Sequence, residues 1–442
     1  MTRYSAGWIF AIVVLCAAIT GCTGNIISPG PSVPGHTDAW LSYKYGFNCG
    51  SYSFPNLADP STLQASANCP GLSDGVEAGN YYSDIGAPAD FPTWLRTYGF
   101  PPTGTNAEAF YGNFLDLRFG RDMNCSQTGQ QIACYVTNYG PLASDCTAAS
   151  GGIQCPWPDL ETGVDDAIGQ ATLGPHAPFA TVAMVWNGTP NTPSSLPPNN
   201  ITFYVYKADG SRLNFAALDD EGFKSVPRMC MACHGGSYSP HTGTASASVT
   251  GTSFLPFDVH SFYYSKLHQD TKGVDQQQEA FRILNSLVKT TNGGDQAISA
   301  QTPQQAAIVE FINGQYCPDL VNGGILNPCS TPVEKALSPA ISGYFPVGWK
   351  NQQKAYSEAI KPYCRMCHMA QIPTFLSSGD LSGVQNLVCS LKDMPHAEVP
   401  FGGGSNAAVN PFIQQSDLTT HFWLDGTAVS DLQAAAGISS CQ

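Results

Sequence analysis

The sequence predicts an α+β protein, with a β-rich, disulfide-stapled region at 41–216 and a mainly α-helical region at 217–442. Three observations lead to this prediction. Strand-like segments rich in β-branched and aromatic residues recur in the first half, the periodicity becomes helical in the second half, and cysteines are numerous. With 44 glycines, 33 prolines and only 12% charged residues, the composition favours long, cross-linked loops over a helical bundle.

The segment 1–21 has the pattern of an export signal. Arg3 precedes an apolar run that begins at Trp8 and is too short for a comfortable membrane span. The Gly21-Cys22 junction resembles the processing site of bacterial lipoproteins, which implies lipidation of Cys22. An ordinary secretory signal is the alternative. Within the lipoprotein resemblance, Thr23 after the cysteine implies outer-membrane anchoring, because inner-membrane retention usually has Asp there.

A flexible tether and a set of strands follow the signal. Residues 22–40 are rich in Gly, Pro and Ser and predict a tether. Strands are predicted at 133–137, 180–186 and 201–206, where β-branched and aromatic residues recur. Ala-Asp-Gly-Ser at 208–211 predicts a turn that pairs the last of these strands with the residues after it in a hairpin.

Helical periodicity begins after residue 217. One predicted helix has a single apolar face, formed by Ala280, Phe281, Leu284, Leu287 and Val288. Thr302 followed by Pro303 predicts the N-cap and first turn of a second helix. A third helix is predicted at 352–360. Residues 209–227, by contrast, are predicted to form a hairpin and a loop.

The pentapeptide Cys-x-x-Cys-His occurs twice. The first motif is Cys230-Met231-Ala232-Cys233-His234 and the second is Cys364-Arg365-Met366-Cys367-His368. Two thiols one helical turn apart can reach the two vinyl groups of one porphyrin, and the adjacent imidazole then lies under the iron. At these two pentapeptides the chain resembles the c-type cytochromes.

The resemblance implies that 217–442 is a di-haem cytochrome c domain with two covalently bound haem c groups. The thioether bonds would be made by Cys230, Cys233, Cys364 and Cys367, with His234 and His368 as proximal iron ligands. A zinc site would need the two Cys pairs to meet through the fold, since they lie far apart in sequence. A thioredoxin-like redox pair would need a βαβ pattern that the sequence does not have.

The sixth ligand of the second iron has two candidates. Met394 is followed by Pro395 downstream of His368, and this pair resembles the distal loop of small class I cytochromes c. The spacing from the histidine is shorter than is usual in that class. His396 competes for the position, and Met394 as a core residue is the alternative.

For the first iron, His260 follows its proximal partner at the same spacing at which Met394 follows His368. His241, His268 and His176 compete with it, and a structural histidine held by hydrogen bonds is the further alternative. A Met/His pair on one iron and a His/His pair on the other would give the haems different potentials. Both haems could find propionate partners among the nearby basic residues, which are Lys224, Arg228, Lys361 and Arg365.

Cysteine counting supports export. The chain has sixteen cysteines, and ten remain once Cys16 and Cys22 of the signal and the four motif thiols are set aside. An even number suits five disulfides in an oxidising compartment. The proposed pairs are Cys125–Cys134, Cys146–Cys155, Cys317–Cys329, Cys49–Cys69 and Cys389–Cys441.

The leading functional hypothesis is a lipid-anchored di-haem cytochrome that passes single electrons between envelope redox partners or to an external acceptor, facing the periplasm or the cell surface. A di-haem peroxidase or oxygenase with one open iron face is the enzymatic alternative, because the motif separation is similar to that of bacterial di-haem peroxidases. A third alternative is an envelope binding lipoprotein with accessory haems. The net charge of −14 argues against nucleic acid as a partner.

Overall fold

The structure is a computed structural model that describes residues 75–101, 104–113, 119–139, 147–149, 152–154, 160–170, 178–188, 201–217, 223–294, 301–316, 340–346, 348–365, 369 and 425–439. The predictions for the signal peptide, for Cys22 and for the tether lie outside these residues. So do four of the five proposed disulfides.

The described strands form one large sheet and three small hairpins. In chain order they are β1 (Asn106–Asn113), β2 (Gly120–Thr128), β3 (Gln131–Tyr139), β4 (Thr147–Ala149), β5 (Gly152–Gln154), β6 (Pro178–Trp186), β7 (Ile201–Lys207), β8 (Phe215–Ala217), β9 (Phe223–Ser225), β10 (Ser237–Ser239), β11 (Ser248–Thr250) and β12 (Phe262–Tyr263). The sheet is antiparallel, with the order β12-β1-β2-β3-β6-β7. The hairpins are β4-β5, β8-β9 and β10-β11.

The described helices are short to medium in length. In chain order they are α1 (Gly75–Asp84), α2 (Phe91–Thr97), α3 (Leu160–Gly169), α4 (Arg228–His234), α5 (Gln269–Lys272), α6 (Gln278–Thr291), α7 (Pro303–Gln315), α8 (Gln353–Ala355), α9 (Lys361–Tyr363) and α10 (Gly426–Ala435). A π-helical turn, Tyr356–Ile360, joins α8 to α9. Within the described ranges, no helix has both the length and the apolar character needed to cross a bilayer.

Several sequence predictions are confirmed. The three predicted strands lie within β3, β6 and β7. The predicted helical face lies on α6, where all of its residues are buried except Ala280, which is partly buried. Thr302 caps α7 in a full capping box: its hydroxyl accepts from the Gln305 N–H, while the Gln305 side chain accepts from the Thr302 N–H. The disulfide between Cys125 and Cys134 joins β2 to β3 at directly paired positions.

The hairpin predicted after β7 is only partly formed. The chain turns at 208–210 and makes one bridge, between Tyr206 and Arg212, before it leaves the sheet. The Arg212 guanidinium donates to the Ala87 carbonyl at 2.7 Å and lies over the Tyr82 ring. These contacts hold the residues that follow β7 against the end of α1. The chain then forms β8, which pairs with β9 and not with the large sheet.

Residues before position 217 pack against residues after it. Strand β12 pairs with β1, and the Tyr111 ring of β1 stacks on Phe262 of β12, with ring centroids 4.2 Å apart. The Gln277 side chain completes this edge: it accepts from the Phe110 N–H at 2.6 Å and donates to the Phe110 carbonyl at 2.8 Å. Residues on both sides of 217 therefore share one core, and a boundary between two folding units at 216/217 stays a prediction.

The two faces of the sheet have different roles. On one face an aromatic cluster around Trp94 of α2 packs on Tyr135 and Tyr204. Because neighbouring residues of a strand point to opposite faces, the positions next to these tyrosines, among them Val136 and Val205, belong to the other face. That second face borders the cavity described below.

Candidate cofactor site

A cavity of about 600 Å³ lies against the second face of the sheet. The sheet supplies much of its apolar wall through two rows of residues that run across the strands. One row contains Met123, Val136, Val182 and Val205, and the second contains Cys134, Met184 and Phe203. Its volume falls within the range of cofactor and ligand sites in proteins. The sheet, which the sequence assigns to a separate region, thus forms one side of the site.

The first motif lies on the cavity wall. Its residues form α4, and Cys230, Cys233 and His234 all border the cavity. The helix ends at Gly235, whose N–H donates to the Met231 carbonyl and whose φ of 67° is unfavourable for other residues. Gly236 follows with a φ of 91°, where a Cβ atom would come within 2.5 Å of the Thr250 carbonyl oxygen.

The His234 ring is oriented by a backbone hydrogen bond. Its Nδ1 lies 2.8 Å from the Ser253 carbonyl oxygen, which can only accept, so Nδ1 carries the proton. Burial lowers the pKa of His234, which favours the neutral ring. A neutral imidazole protonated at Nδ1 keeps a lone pair on Nε2, and this is the arrangement that a histidine ligand of a metal requires.

Cys230 and Cys364, one thiol of each motif, have the properties of buried, unreactive cysteines. Burial raises the pKa of Cys230 above its usual range and raises the pKa of Cys364 to about 12. A catalytic dithiol needs a lowered thiol pKa instead. This environment disfavours thiol–disulfide exchange and is compatible with cysteines that serve as attachment points.

The second motif is described only in part. Cys364 follows α9 and borders the same cavity as Cys230, while Cys367, His368 and Met394 lie outside the described residues. The Arg365 guanidinium is buried in an ion pair with Asp258 and donates to Tyr356. Arg365 is thus engaged with protein groups, which disfavours the propionate role predicted for it.

His260 also borders the cavity, near the start of β12. Its Nε2 lies 2.7 Å from the Ala340 carbonyl oxygen and donates to it. Ligation of an iron by this nitrogen would require that bond to break. Among the competing histidines, His241 binds Asp84 at the surface and His176 lies outside the described residues.

The sequence pattern did not reveal part of the cavity wall. Arg121 and Asn138, which are cross-strand partners in β2 and β3, place polar groups on a largely apolar surface. Lys361, a predicted neighbour of the second haem, also borders the cavity, and its Nζ donates to the Ser342 carbonyl at 2.9 Å. Alternation of Arg121, Met123 and Cys125 is the signal that could have placed Arg121 on this face.

Comparisons with known protein families, with curated proteins and with solved structures find no match to this chain.

Proposed function

We propose that the chain is an exported, lipid-anchored c-type cytochrome with two covalent haems that passes single electrons between redox partners of the cell envelope. The observation that carries this proposal is the position of Cys230, Cys233 and His234 on one short helix at a cavity that Cys364 also borders. The protein's own groups fit the cofactor: two thiols one turn apart, a neutral imidazole and an apolar wall.

The residues of the site have separate tasks in this proposal. Cys230 and Cys233 hold one macrocycle, and Cys364 and Cys367 hold the other. His234 presents Nε2 to the iron while Ser253 fixes its ring, and His368 is proposed to do the same for the second iron. The apolar wall offers the porphyrin an apolar surface to pack on. Bound haem iron supplies a reversible one-electron couple whose potential depends on its axial ligands and on burial.

Met394 and His260 are the proposed sixth ligands. His260 is on the cavity wall, and ligation through Nε2 would exchange its bond to Ala340 for a bond to iron. Met394 is proposed from the sequence alone. Loss of the Ala340 hydrogen bond would cost about 1 kcal/mol, which a bond to iron can offset.

The engaged Nε2 of His260 favours a second candidate function. If His260 keeps its bond to Ala340, one iron face stays open, beside the polar side chains of Arg121 and Asn138. An open face is what a di-haem peroxidase or oxygenase requires. Electron paramagnetic resonance of the oxidised protein separates the two: two low-spin irons support electron transfer, and a peroxide-reactive high-spin iron supports the enzyme.

Haem counting tests the proposal directly. The full chain, exported from a host that attaches haem c, should carry two haems by pyridine haemochrome assay. The double variants Cys230→Ala/Cys233→Ala and Cys364→Ala/Cys367→Ala should each carry one covalent haem. Met231→Leu, a neutral change in the same helix, should keep both. A parent protein without covalent haem, or an unchanged count in either cysteine variant, contradicts the assignment.

A further inference from the structure

The cavity is lined by positive charge in a protein that is acidic as a whole. The chain has 33 aspartates and glutamates against 19 lysines and arginines. The described residues that border the cavity nevertheless include Arg121 and Lys361, and none of these described lining residues is an aspartate or a glutamate. Because the rest of this lining is mostly apolar, the site suits a molecule with a large apolar body and a few negative groups.

The two cations of the lining differ in their surroundings. Lys361 donates to the Ser342 carbonyl, and burial lowers its pKa. Arg121 lies on β2 in the interior of the sheet, directly paired with Tyr111 of β1 and Asn138 of β3. A guanidinium keeps its charge when it is buried, whereas an ammonium group loses it more readily. Arg121 is therefore the more dependable partner for an anion in this cavity.

Arg121 and the first motif border different parts of the sheet wall. The Phe203 ring contacts the His234 ring of the motif, with centroids 5.6 Å apart. Cross-strand register places Phe203 in one row with Cys134, four residues along β3 from Asn138, the partner of Arg121. At about 3.4 Å per residue these two rows lie about 14 Å apart along the strands. The sheet thus offers an apolar surface at the motif and a positive charge further along.

A haem has the same division into an attached edge and a charged edge. The vinyl groups that form the thioether bonds lie on one edge of the porphyrin, and the two propionates project from the opposite edge. A haem held by Cys230 and Cys233 would therefore direct its propionates away from the motif. The planar guanidinium fork binds a carboxylate through two hydrogen bonds.

The Arg121 charge acts across this distance on the first motif. Burial is the main cause of the lowered pKa of His234, and the Arg121 charge lowers that pKa further. The guanidinium is thus close enough for its field to reach the ring that is proposed to hold the iron. A positive charge in that position opposes the ferric form of a haem and raises its potential.

We infer that Arg121 binds a propionate of the haem attached at the first motif, so that the β sheet fixes how this haem is turned in its site. This inference rests on the proposed function. No bond to the macrocycle is made or broken by the contact. A residue from the strand-rich half of the chain would then set the potential of a haem that is attached in the other half.

Redox titration of the full two-haem chain tests the inference. Arg121→Gln should keep two covalent haems and shift one wave, with about a tenfold change toward ferric at a fixed ambient potential, which is about 59 mV. The shifted wave should be the one that the Cys364→Ala/Cys367→Ala protein retains. Arg96→Gln removes an exposed arginine of α2 on the opposite side of the sheet and should shift neither wave. In Arg121→Gln, two unchanged waves, or two waves shifted alike, overturn the inference.

Arg121→Lys tests the contact while keeping the charge, and it decides the question if Arg121→Gln does not accumulate. Its potentials should stay close to those of the parent. The propionate-bending band in the resonance Raman spectrum should change, because an ammonium group cannot form the two-donor fork. An unchanged band contradicts the inference. A parent without covalent haem would show no wave at all, and that result would contradict the proposed function instead.

Discussion

Arg365 and Asp258 form a buried ion pair that joins the second motif to the segment before His260. Arg365 also donates to the Tyr356 hydroxyl at 2.9 Å, and Asp258 accepts from Ser261. The pair therefore belongs to a network that reaches the π-helical turn and the first turn after residue 258. Removing either charge would leave the other buried and uncompensated.

The first prediction concerns the stability supplied by this pair. Asp258→Asn should lower the free energy of unfolding by about 3–5 kcal/mol, because it strands the Arg365 charge. Lys354→Gln is the matched control: it breaks an ion pair with Asp431 in which the lysine is 73% exposed, and the loss should be under about 1 kcal/mol. Urea denaturation followed by circular dichroism measures both. Equal losses of unfolding free energy would show that the buried pair stabilises the fold no more than the exposed pair does.

The second prediction concerns the edge of the sheet. Gln277→Ala should leave the Phe110 N–H and carbonyl without the partners that Gln277 provides. Each unsatisfied buried group costs about 1–3 kcal/mol, so the two together are expected to cost about 2–6 kcal/mol. The neighbouring exposed Gln276→Ala should change stability by less than about 0.5 kcal/mol. A Gln277→Ala protein as stable as this control would rule out the edge role.

The third prediction concerns pH. Burial, with a smaller effect of Glu108, raises the pKa of Asp122 from 3.8 to about 7. The folded state thus binds this proton more tightly than the unfolded state, and the free energy of unfolding should fall as pH rises from about 4 to about 7. Asp122→Asn should remove that fall and be more stable than the parent at pH 8, by as much as about 4 kcal/mol.

The control for Asp122 is Asp270→Asn, which removes an exposed carboxylate of α5. Its stability should follow the parent's pH dependence at every pH tested. Unfolding curves in urea at pH 4, 6 and 8 provide the comparison. If the free energy of unfolding changed with pH in the same way in the parent and in Asp122→Asn, Asp122 would ionise equally well in the folded and unfolded states.

The fourth prediction concerns the ligand role of His260. His260→Ala should keep two covalent haems but convert one iron from low spin to high spin, seen by electron paramagnetic resonance. His241→Ala, which removes a histidine paired with Asp84 away from the cavity, should leave both irons unchanged. Unchanged low-spin signals in His260→Ala would assign His260 to its hydrogen bond with Ala340 alone.

The fifth prediction concerns the anchor. Cys22→Ser should move the protein from the membrane fraction to the soluble fraction, because the proposed lipid anchor would be attached to this thiol. Cys16 lies in the apolar run of the signal, so the control variant Cys16→Ser should leave the protein in the membrane fraction. Fractionation and immunoblotting measure the distribution. Membrane retention of Cys22→Ser would contradict lipidation.

The elements with strong local signals were predictable. Strands β3, β6 and β7 are rich in β-branched and aromatic residues, and α6 and α7 have a regular apolar face or a good cap. Such features depend only on neighbouring residues. The Cys125–Cys134 disulfide was predictable for the same reason, because its residues flank a tight turn.

Other elements depend on contacts that are distant in sequence. Strand β2 reads Gly-Arg-Asp-Met-Asn-Cys-Ser-Gln-Thr, a composition with low strand propensity that the neighbouring strands nevertheless hold in the sheet. Helix α3 carries Glu161, whose carboxylate accepts from the Tyr263 hydroxyl in β12. The cavity could not be predicted either, because its wall combines β strands with a motif that lies far from them in sequence.

The pairing of β12 with β1 also limits how the protein can be dissected. A protein cut at residue 217 would lose β12 and Gln277 from one half and would uncover the apolar sheet face in the same half. The other half would keep the first motif without the wall on which it rests. Binding assays on such fragments would report on exposed core, so partners of this protein should be sought with the intact chain.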